Sequence, residues 1–182
     1  MLIAVPSKGR AGLTTTNKIL PNLSTFFIPE SEYHQYKGIV KNIVCVPKEV
    51  RGITDTRNWI LENTDEKWVV FLDDDAKNVG YKPFLTRTYV TASCMGIVND
   101  GEYLFDPEFK VKEDYEICLR HIRDKGGILA VRYLHWENEH WTTEGGCKDY
   151  RTIEMERNAI KKLIKLYPSM ISSAKRKANE FT

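Results

Sequence analysis

The sequence predicts an α/β fold: a single domain in which helices flank a mostly parallel central sheet. Three observations lead to this prediction. Strand-like and helix-like segments alternate through the first half of the 182 residues, as they do in parallel α/β proteins. Several strand candidates are apolar on both faces, which is typical of strands covered by helices on both sides. Charged residues follow the ends of the first four strand candidates.

Short apolar segments rich in β-branched residues are the strand candidates. They comprise residues 2–5, 25–28, 43–46, 69–72, 89–92 and 128–133.

Helices are predicted between and after these strands, at residues 14–20, 54–62, 113–124 and 151–167. We expect the Thr54 hydroxyl to cap the second helix. The third has an amphipathic spacing, formed by Tyr115, Cys118, Leu119 and Ile122. The apolar stripe predicted for the last helix comprises Ile153, Ile160, Leu163, Ile164 and Tyr167. From about residue 169 the chain has little apolar surface to bury, and we expect a flexible tail.

Composition indicates one soluble domain spanning residues 1–182. The 27 basic and 25 acidic residues give a net charge of only +2, which excludes histone-like binding of nucleic acid by bulk charge. No apolar run approaches the roughly 20 residues of a membrane helix, and the N-terminus MLIAVPSKGR does not resemble a signal peptide. The four cysteines form no CxxC pair, so we expect reduced thiols, with Cys45 and Cys118 in the core, and a cytoplasmic location (the host cytoplasm if the protein is viral).

Polar residues follow four successive strand candidates. They are PSKGR, PESE, PKEVRG and DDD, in chain order. Since ligands of open α/β sheets bind beyond the carboxyl ends of the strands, we expect the functional site at this edge. The first loop lacks the GxxxxGK(S/T) spacing of a P-loop, and the chain has no GxGxxG.

The acidic run Asp73–Asp75 follows the buried strand VVFL. In an extended segment alternate side chains share a face, so Asp73 and Asp75 are predicted to point together into the cleft. Paired carboxylates suit Mg²⁺ or Mn²⁺, with the remaining ligands supplied by water and a diphosphate. The alternative is an acidic turn that closes a strand.

The segment VRGITDTRN places Arg51 and Gly52 at the end of the third strand and Arg57 in the helix that follows. Glycine allows close approach of the backbone to a ligand, and arginine offers a planar set of donors to phosphate. The alternative for Arg57 is a surface ion pair with Glu62 or Asp65.

Glu113 and Asp114 open the amphipathic helix, and the helix dipole stabilises negatively charged side chains at this position. Alternatively, one of the two carboxylates accepts a proton from an acceptor hydroxyl. Spacing does not distinguish the two roles. Either His135 or His140, in a later loop, could be a further metal ligand, and the sequence does not decide between this role and a solvated side chain.

Taken together, these segments resemble a nucleotide-sugar glycosyltransferase of the GT-A type, and in particular the TET-associated glycosyltransferase family of bacteriophages. The resemblance covers roughly residues 2–155. It is carried by VPSKGR, IPESEY, VPKEVRGITDTRNWIL, WVVFLDDD, the ED pair and GGCKDYRT.

The resemblance implies a Rossmann-like GT-A domain that binds a nucleoside diphosphate sugar, with a UDP-sugar as the expected donor, together with Mn²⁺ or Mg²⁺. The implied acceptor is a hydroxymethylated pyrimidine in phage DNA. Asp73 and Asp75 would bind the metal, and Asp114 would be the catalytic carboxylate. The residues implied to bind the nucleotide sugar are Pro6, Ser7, Arg10, Arg51, Gly52, Arg57, Asn58, Asp73 and Asp74.

Other functions stay open at this point. The acceptor could be a protein, a glycan or a small molecule. A nucleotidyltransferase would also use carboxylates and Mg²⁺, although PSKGR is a poor phosphate loop. A non-catalytic module that binds nucleic acid or a partner protein is the alternative from a different class.

Overall fold

A computed structural model describes residues 1–81, 94–128, 134–137 and 150–172. The described strands are β1 (Leu2–Pro6), β2 (Ser24–Pro29), β3 (Asn42–Val46), β4 (Trp68–Leu72), β5 (Asn78–Tyr81), β6 (Cys94–Val98) and β7 (Leu134–Glu137). The α-helices are α1 (Thr16–Ile19), α2 (Tyr33–Tyr36), α3 (Gly52–Glu62), α4 (Glu113–Lys125) and α5 (Ile153–Leu166). Single turns of 3-10 helix cover Ala11–Leu13 and Glu30–Glu32.

Five strands form one sheet in the order β3-β2-β1-β4-β6. Strands β3, β2, β1 and β4 run parallel to one another, and β6 pairs antiparallel with β4 at the edge of the sheet. Strands β5 and β7 form a separate antiparallel pair. The predicted α/β class and mostly parallel sheet are therefore confirmed, and the arrangement is compatible with a Rossmann-like fold.

Apolar residues cover both faces of this sheet. One face packs against α3 and α4 through a core that includes Phe27, Ile60, Phe71 and Ile117. The other face packs against the short helices between β1 and β3, with Phe26, Ile28, Tyr36 and Leu72 in its core. This burial on both sides explains why β1, β2 and β4 have almost continuous apolar sequences.

The predicted strands at 2–5, 25–28, 43–46 and 69–72 are each found within one residue of their predicted ends. The strand predicted at 89–92 lies outside the described residues. The prediction for 128–133 also lies largely outside them, and Ile128, its one described residue, is not in a strand.

Several local predictions are wrong. Thr54 does not cap α3, because the helix already begins at Gly52 and the Thr54 hydroxyl donates to the Phe109 carbonyl at 2.7 Å. Ile153 is exposed rather than part of a buried stripe. Cys45 is exposed as well, whereas Cys118 is buried as predicted.

None of the helices in the described ranges is both long enough and apolar enough to cross a membrane.

Candidate functional site

The sheet reverses its strand order between β1 and β4. From β1 the chain proceeds to β2 and β3 on one side and then returns to β4 on the other side. In open α/β sheets this switch point leaves a crevice beyond the carboxyl ends of the strands, and ligands bind there. The residues that follow β1 and β4 therefore occupy the expected position of a site.

Ser7, directly after β1, is buried and connects three elements. Its amide donates to the Phe27 carbonyl of β2 at 3.0 Å. Its hydroxyl lies 2.7 Å from the Tyr36 hydroxyl and donates to the Asp74 carboxylate. The Tyr36 hydroxyl also accepts from the Arg10 amide at 3.2 Å. Tyr36 thus fixes the loop after β1, a role that no sequence motif indicates.

Arg10 bridges two carboxylates of the acidic run. Its Nη1 lies 3.0 Å from Asp74 Oδ1, and its Nη2 lies 2.9 Å from Asp75 Oδ2. Both aspartates are buried, at 4% and 8% exposure. Burial raises the pKa of Asp74 to about 6, although Arg10 and the Ser7 hydroxyl act to lower it. The pKa of Arg10 is raised by the carboxylates despite its own desolvation.

The acidic run lies in a turn rather than in an extended segment. Strand β4 ends at Leu72, and Asp74 and Asp75 are turn residues. The alternation that predicts a shared face for Asp73 and Asp75 therefore does not extend through them. It is Asp74 and Asp75 that meet at Arg10, while Asp73 is half-buried beside them.

The start of α1 holds the acidic turn by hydrogen bonds to the backbone of that turn. The Thr16 hydroxyl donates to the Asp73 carbonyl at 2.6 Å and accepts from the Ala76 amide at 3.1 Å. The Thr15 amide donates to the Asp74 carbonyl at 2.9 Å. The run TTT at residues 14–16 gives no sign of these contacts, because they link residues about 60 positions apart.

A cavity of about 240 Å³ lies beside the Arg10–Asp75 pair. Three polar atoms of its lining residues are buried without a hydrogen-bond partner: Arg10 Nε, Thr15 Oγ1 and Asp75 Oδ1. Lys18 and Lys77 lie at the same cavity. Since buried polar groups normally have partners, this cavity is suited to a polar ligand.

Arg57 is part of the core. It is 3% exposed, and its Nη1 lies 2.5 Å from Glu113 Oε1. The guanidinium also lies over the rings of Phe71 and Phe105, at 5.7 and 5.4 Å from their centroids. The alternative of a surface ion pair with Glu62 or Asp65 is therefore wrong.

Asn58 holds the segment before α4. Its amide nitrogen donates to the Phe105 carbonyl at 2.7 Å, and its oxygen accepts from the Phe105 amide at 2.7 Å. These paired bonds fix Phe105 against α3.

Arg51 and Gly52 follow β3 after the loop at residues 47–50, and Gly52 is the first residue of α3. Strand β3 is two strands away from β1 in the sheet. Arg51 is exposed. Gly52 has φ +85°, and a Cβ there would lie 3.9 Å from the Tyr150 hydroxyl.

Asp114 lies half-buried in the first turn of α4, where its Oδ1 accepts from the Tyr115 amide at 3.0 Å. Its neighbour Glu113 is buried and paired with Arg57, and burial raises the pKa of that carboxyl. Of the two acidic residues, Asp114 is therefore the one nearer to solvent.

The acidic turn offers two carboxylates for a cation. Within the described ranges, no group of three or more His, Cys, Asp or Glu side chains could hold a metal ion. Asp75 Oδ1 is nevertheless a buried oxygen without a partner, and Mg²⁺ is commonly held by one or two carboxylates, with water and phosphate completing its shell. Of the predicted pair, Asp75 therefore offers an oxygen that fits this mode of binding. His140 lies outside the described residues, and His135 is described only as part of β7.

Comparison of the chain with protein-family models, curated proteins and solved structures gives no match.

Proposed function

We propose that this protein is a metal-dependent glycosyltransferase of the GT-A type. It would transfer a sugar from a nucleoside diphosphate sugar, expected to be a UDP-sugar, to an acceptor hydroxyl. The proposed acceptor is a hydroxymethylated pyrimidine in phage DNA. The observation that carries the proposal is the meeting of Asp74 and Asp75 with Arg10 and Ser7 at the switch point between β1 and β4.

The donor is proposed to bind along the carboxyl edge of β1 and β4. Pro6, Ser7 and Arg10 would contact the nucleotide from the β1 side, with Asp73 and Asp74 opposite them. The cavity beside Arg10 supports this placement, because its unpartnered donors and its lysines suit a phosphate-bearing ligand. Arg51 and Gly52 would contact the donor from the start of α3.

Asp73 and Asp75 would hold Mn²⁺ or Mg²⁺. When bound, the ion would supply positive charge that offsets the charge of the leaving diphosphate.

In the transfer, the acceptor oxygen forms a bond to the anomeric carbon, and the bond from that carbon to the diphosphate oxygen breaks. The diphosphate leaves with the electron pair. Asp114 accepts the proton of the acceptor hydroxyl if the configuration inverts. The Arg57–Glu113 pair fixes the first turn of α4 and so the position of Asp114. We assign Arg57 this supporting role because it is nearly inaccessible. Asn58 has a supporting role as well, because its side-chain amide is engaged with the Phe105 backbone.

Donor binding is tested by thermal unfolding with a panel of nucleoside diphosphates, with and without Mn²⁺. We expect stabilisation by one diphosphate that depends on Mn²⁺, and its loss in Asp75→Ala. Asp65→Ala is the matched control, since Asp65 is exposed on the loop before β4. Stabilisation by DNA alone would instead support a non-catalytic binding module.

The acceptor is tested by incubation with labelled sugar nucleotides and DNA with or without hydroxymethylated bases. Label transferred only to the modified DNA supports the proposal. Transfer to a protein or glycan would retain the enzyme class and replace the acceptor, and the absence of both transfer and donor hydrolysis would contradict the proposal.

A further inference from the structure

We propose that Arg10 is a built-in counter-ion of the acidic turn, which a divalent cation and a phosphate-bearing nucleotide displace together. Arg10 would thereby make binding of the cation depend on the nucleotide. This inference rests on the proposed function and adds a coupling between its two ligands.

The first support is the position of the guanidinium. It bridges Asp74 and Asp75 at 3.0 and 2.9 Å, and its side chain is only 13% exposed. Two buried carboxylates this close repel each other unless a positive charge lies between them. Arg10 supplies that charge from within the chain, and it occupies the Asp75 carboxylate that the proposed cation would bind.

The second support is that this pairing leaves polar atoms unsatisfied. Asp75 Oδ1 and Arg10 Nε are buried and lack hydrogen-bond partners. A purely structural ion pair is stable only when its remaining donors and acceptors are also satisfied. Both residues line the cavity of about 240 Å³, which gives a ligand access to the pair.

The third support is the charge around that cavity. Lys18 and Lys77 line it together with Arg10, against the single carboxylate of Asp75. A diphosphate there would give the guanidinium a new anionic partner as the cation takes over the Asp75 carboxylate. Arginine suits this exchange, because its planar donors match a phosphate as well as a carboxylate.

The exchange predicts a coupling between the two ligands. A divalent cation alone must displace Arg10 and leave the guanidinium without a partner, so it binds weakly. With the nucleotide present, the guanidinium pairs with phosphate, so each ligand strengthens the binding of the other by the same factor.

The experiment is a titration of Mn²⁺ into the full chain without nucleotide. The electron paramagnetic resonance signal of the free ion measures how much Mn²⁺ is bound. We expect Arg10→Gln to bind Mn²⁺ about tenfold more tightly than the wild type, since loss of a charged hydrogen-bonding partner is an effect of that size. UDP should increase the Mn²⁺ affinity of the wild type by about tenfold and that of Arg10→Gln by much less. Arg123→Gln, at an exposed arginine late in α4, is the matched control and should behave as the wild type.

Equal or weaker binding of Mn²⁺ by Arg10→Gln would overturn the proposal, as would the absence of Mn²⁺ binding by both proteins. If Arg10→Gln does not fold, Arg10→Lys replaces it. A lysine presents one nitrogen in place of the two that contact Asp74 and Asp75, so this variant should also bind Mn²⁺ alone more tightly than the wild type, and unchanged affinity would contradict the proposal.

The two proposals fail in different ways. Tighter Mn²⁺ binding by Arg10→Gln without any sugar transfer would retain the role of Arg10 and remove the glycosyltransferase activity. Sugar transfer by the wild type combined with weaker Mn²⁺ binding by Arg10→Gln would retain the activity and remove the role of Arg10.

Discussion

The hydroxyl of Tyr36 lies 2.7 Å from Ser7 Oγ and joins α2 to the loop that follows β1. It also accepts the Arg10 amide at 3.2 Å, so one side chain positions both ends of this loop. Burial raises the pKa of Tyr36, and the group stays a neutral hydroxyl at physiological pH.

Tyr36→Phe should lower the free energy of unfolding by about 1–3 kcal/mol, because it removes the acceptor of the part-buried Arg10 amide and one of the two partners of the buried Ser7 hydroxyl. Urea denaturation measures this change. Tyr33→Phe is the control, since Tyr33 belongs to the same helix but is 36% exposed. Equal effects of the two substitutions would show that the Tyr36 hydroxyl does not hold the loop.

The buried pair Arg57–Glu113 predicts strong coupling between α3 and α4. Arg57→Leu should destabilise the protein by about 3–5 kcal/mol, because it leaves the Glu113 carboxylate buried without its partner. The double substitution Arg57→Leu with Glu113→Leu should cost clearly less than the two single changes added together. A double-mutant cycle from urea denaturation tests this.

An exposed pair provides the comparison. Lys125 and Glu102 are 2.8 Å apart at the surface, and Lys125→Met should leave the urea midpoint unchanged. Additive effects in the Arg57–Glu113 cycle would contradict the coupling.

Asp74 predicts a pH dependence of stability. Its pKa is about 6 in the folded protein against an ordinary value of 3.8, so between these values the native state binds more protons than the unfolded state. Unfolding free energy should therefore fall as the pH rises from about 4 to about 6, by up to roughly 3 kcal/mol from this group. The measurement is the difference between the wild type and Asp74→Asn across that range, and a pH-independent difference would contradict the raised pKa.

Glycine is required at position 52 because of its backbone conformation and not because a side chain would lack space. Its φ is +85°, and an added Cβ would make only an ordinary contact, at 3.9 Å from the Tyr150 hydroxyl. Gly52→Ala should therefore cost about 1–2 kcal/mol through the left-handed backbone conformation. Gly127→Ala is the control, because Gly127 has neither a positive φ nor an atom within 4 Å of an added Cβ; thermal unfolding should separate the two variants.

The cysteines should differ in reactivity. Cys45 is exposed and Cys118 is buried, so a thiol reagent should modify Cys45 quickly in the folded protein. Cys45→Ser should remove one fast-reacting thiol, and Cys118→Ser should leave the number of fast-reacting thiols unchanged. The opposite result would place Cys45 in the core.

The order and type of most elements could be predicted from the sequence because their signals are local. The runs at 2–5 and 69–72 are apolar on both faces, which only a sheet covered on both sides accommodates. The apolar spacing of α4 and the glycines after it likewise set the length of that helix. Polar residues at the strand ends pointed to the edge of the sheet at which the candidate site lies.

The local signals failed where a neighbour distant in sequence changes the outcome. Thr54 was a reasonable cap by type, but its hydroxyl donates to the Phe109 carbonyl. Arg57 appeared as a ligand-binding or surface arginine, because the sequence does not show that Glu113, 56 residues away, lies within 2.5 Å of it. Burial of a charged residue depends on its partner, and a partner distant in the chain leaves no local pattern.

By itself the sequence determined that three carboxylates follow a buried strand and that a basic loop follows another. Only the tertiary structure decided that β1 and β4 are neighbours, which brings Arg10 onto Asp74 and Asp75 across 65 residues of chain. The physical reason is that strand order depends on how the whole sheet buries its two apolar faces, whereas the spacing of residues along one strand does not encode it. The sequence predicted that Asp73 and Asp75 share a face, whereas in the structure Asp74 and Asp75 are buried together and paired with Arg10.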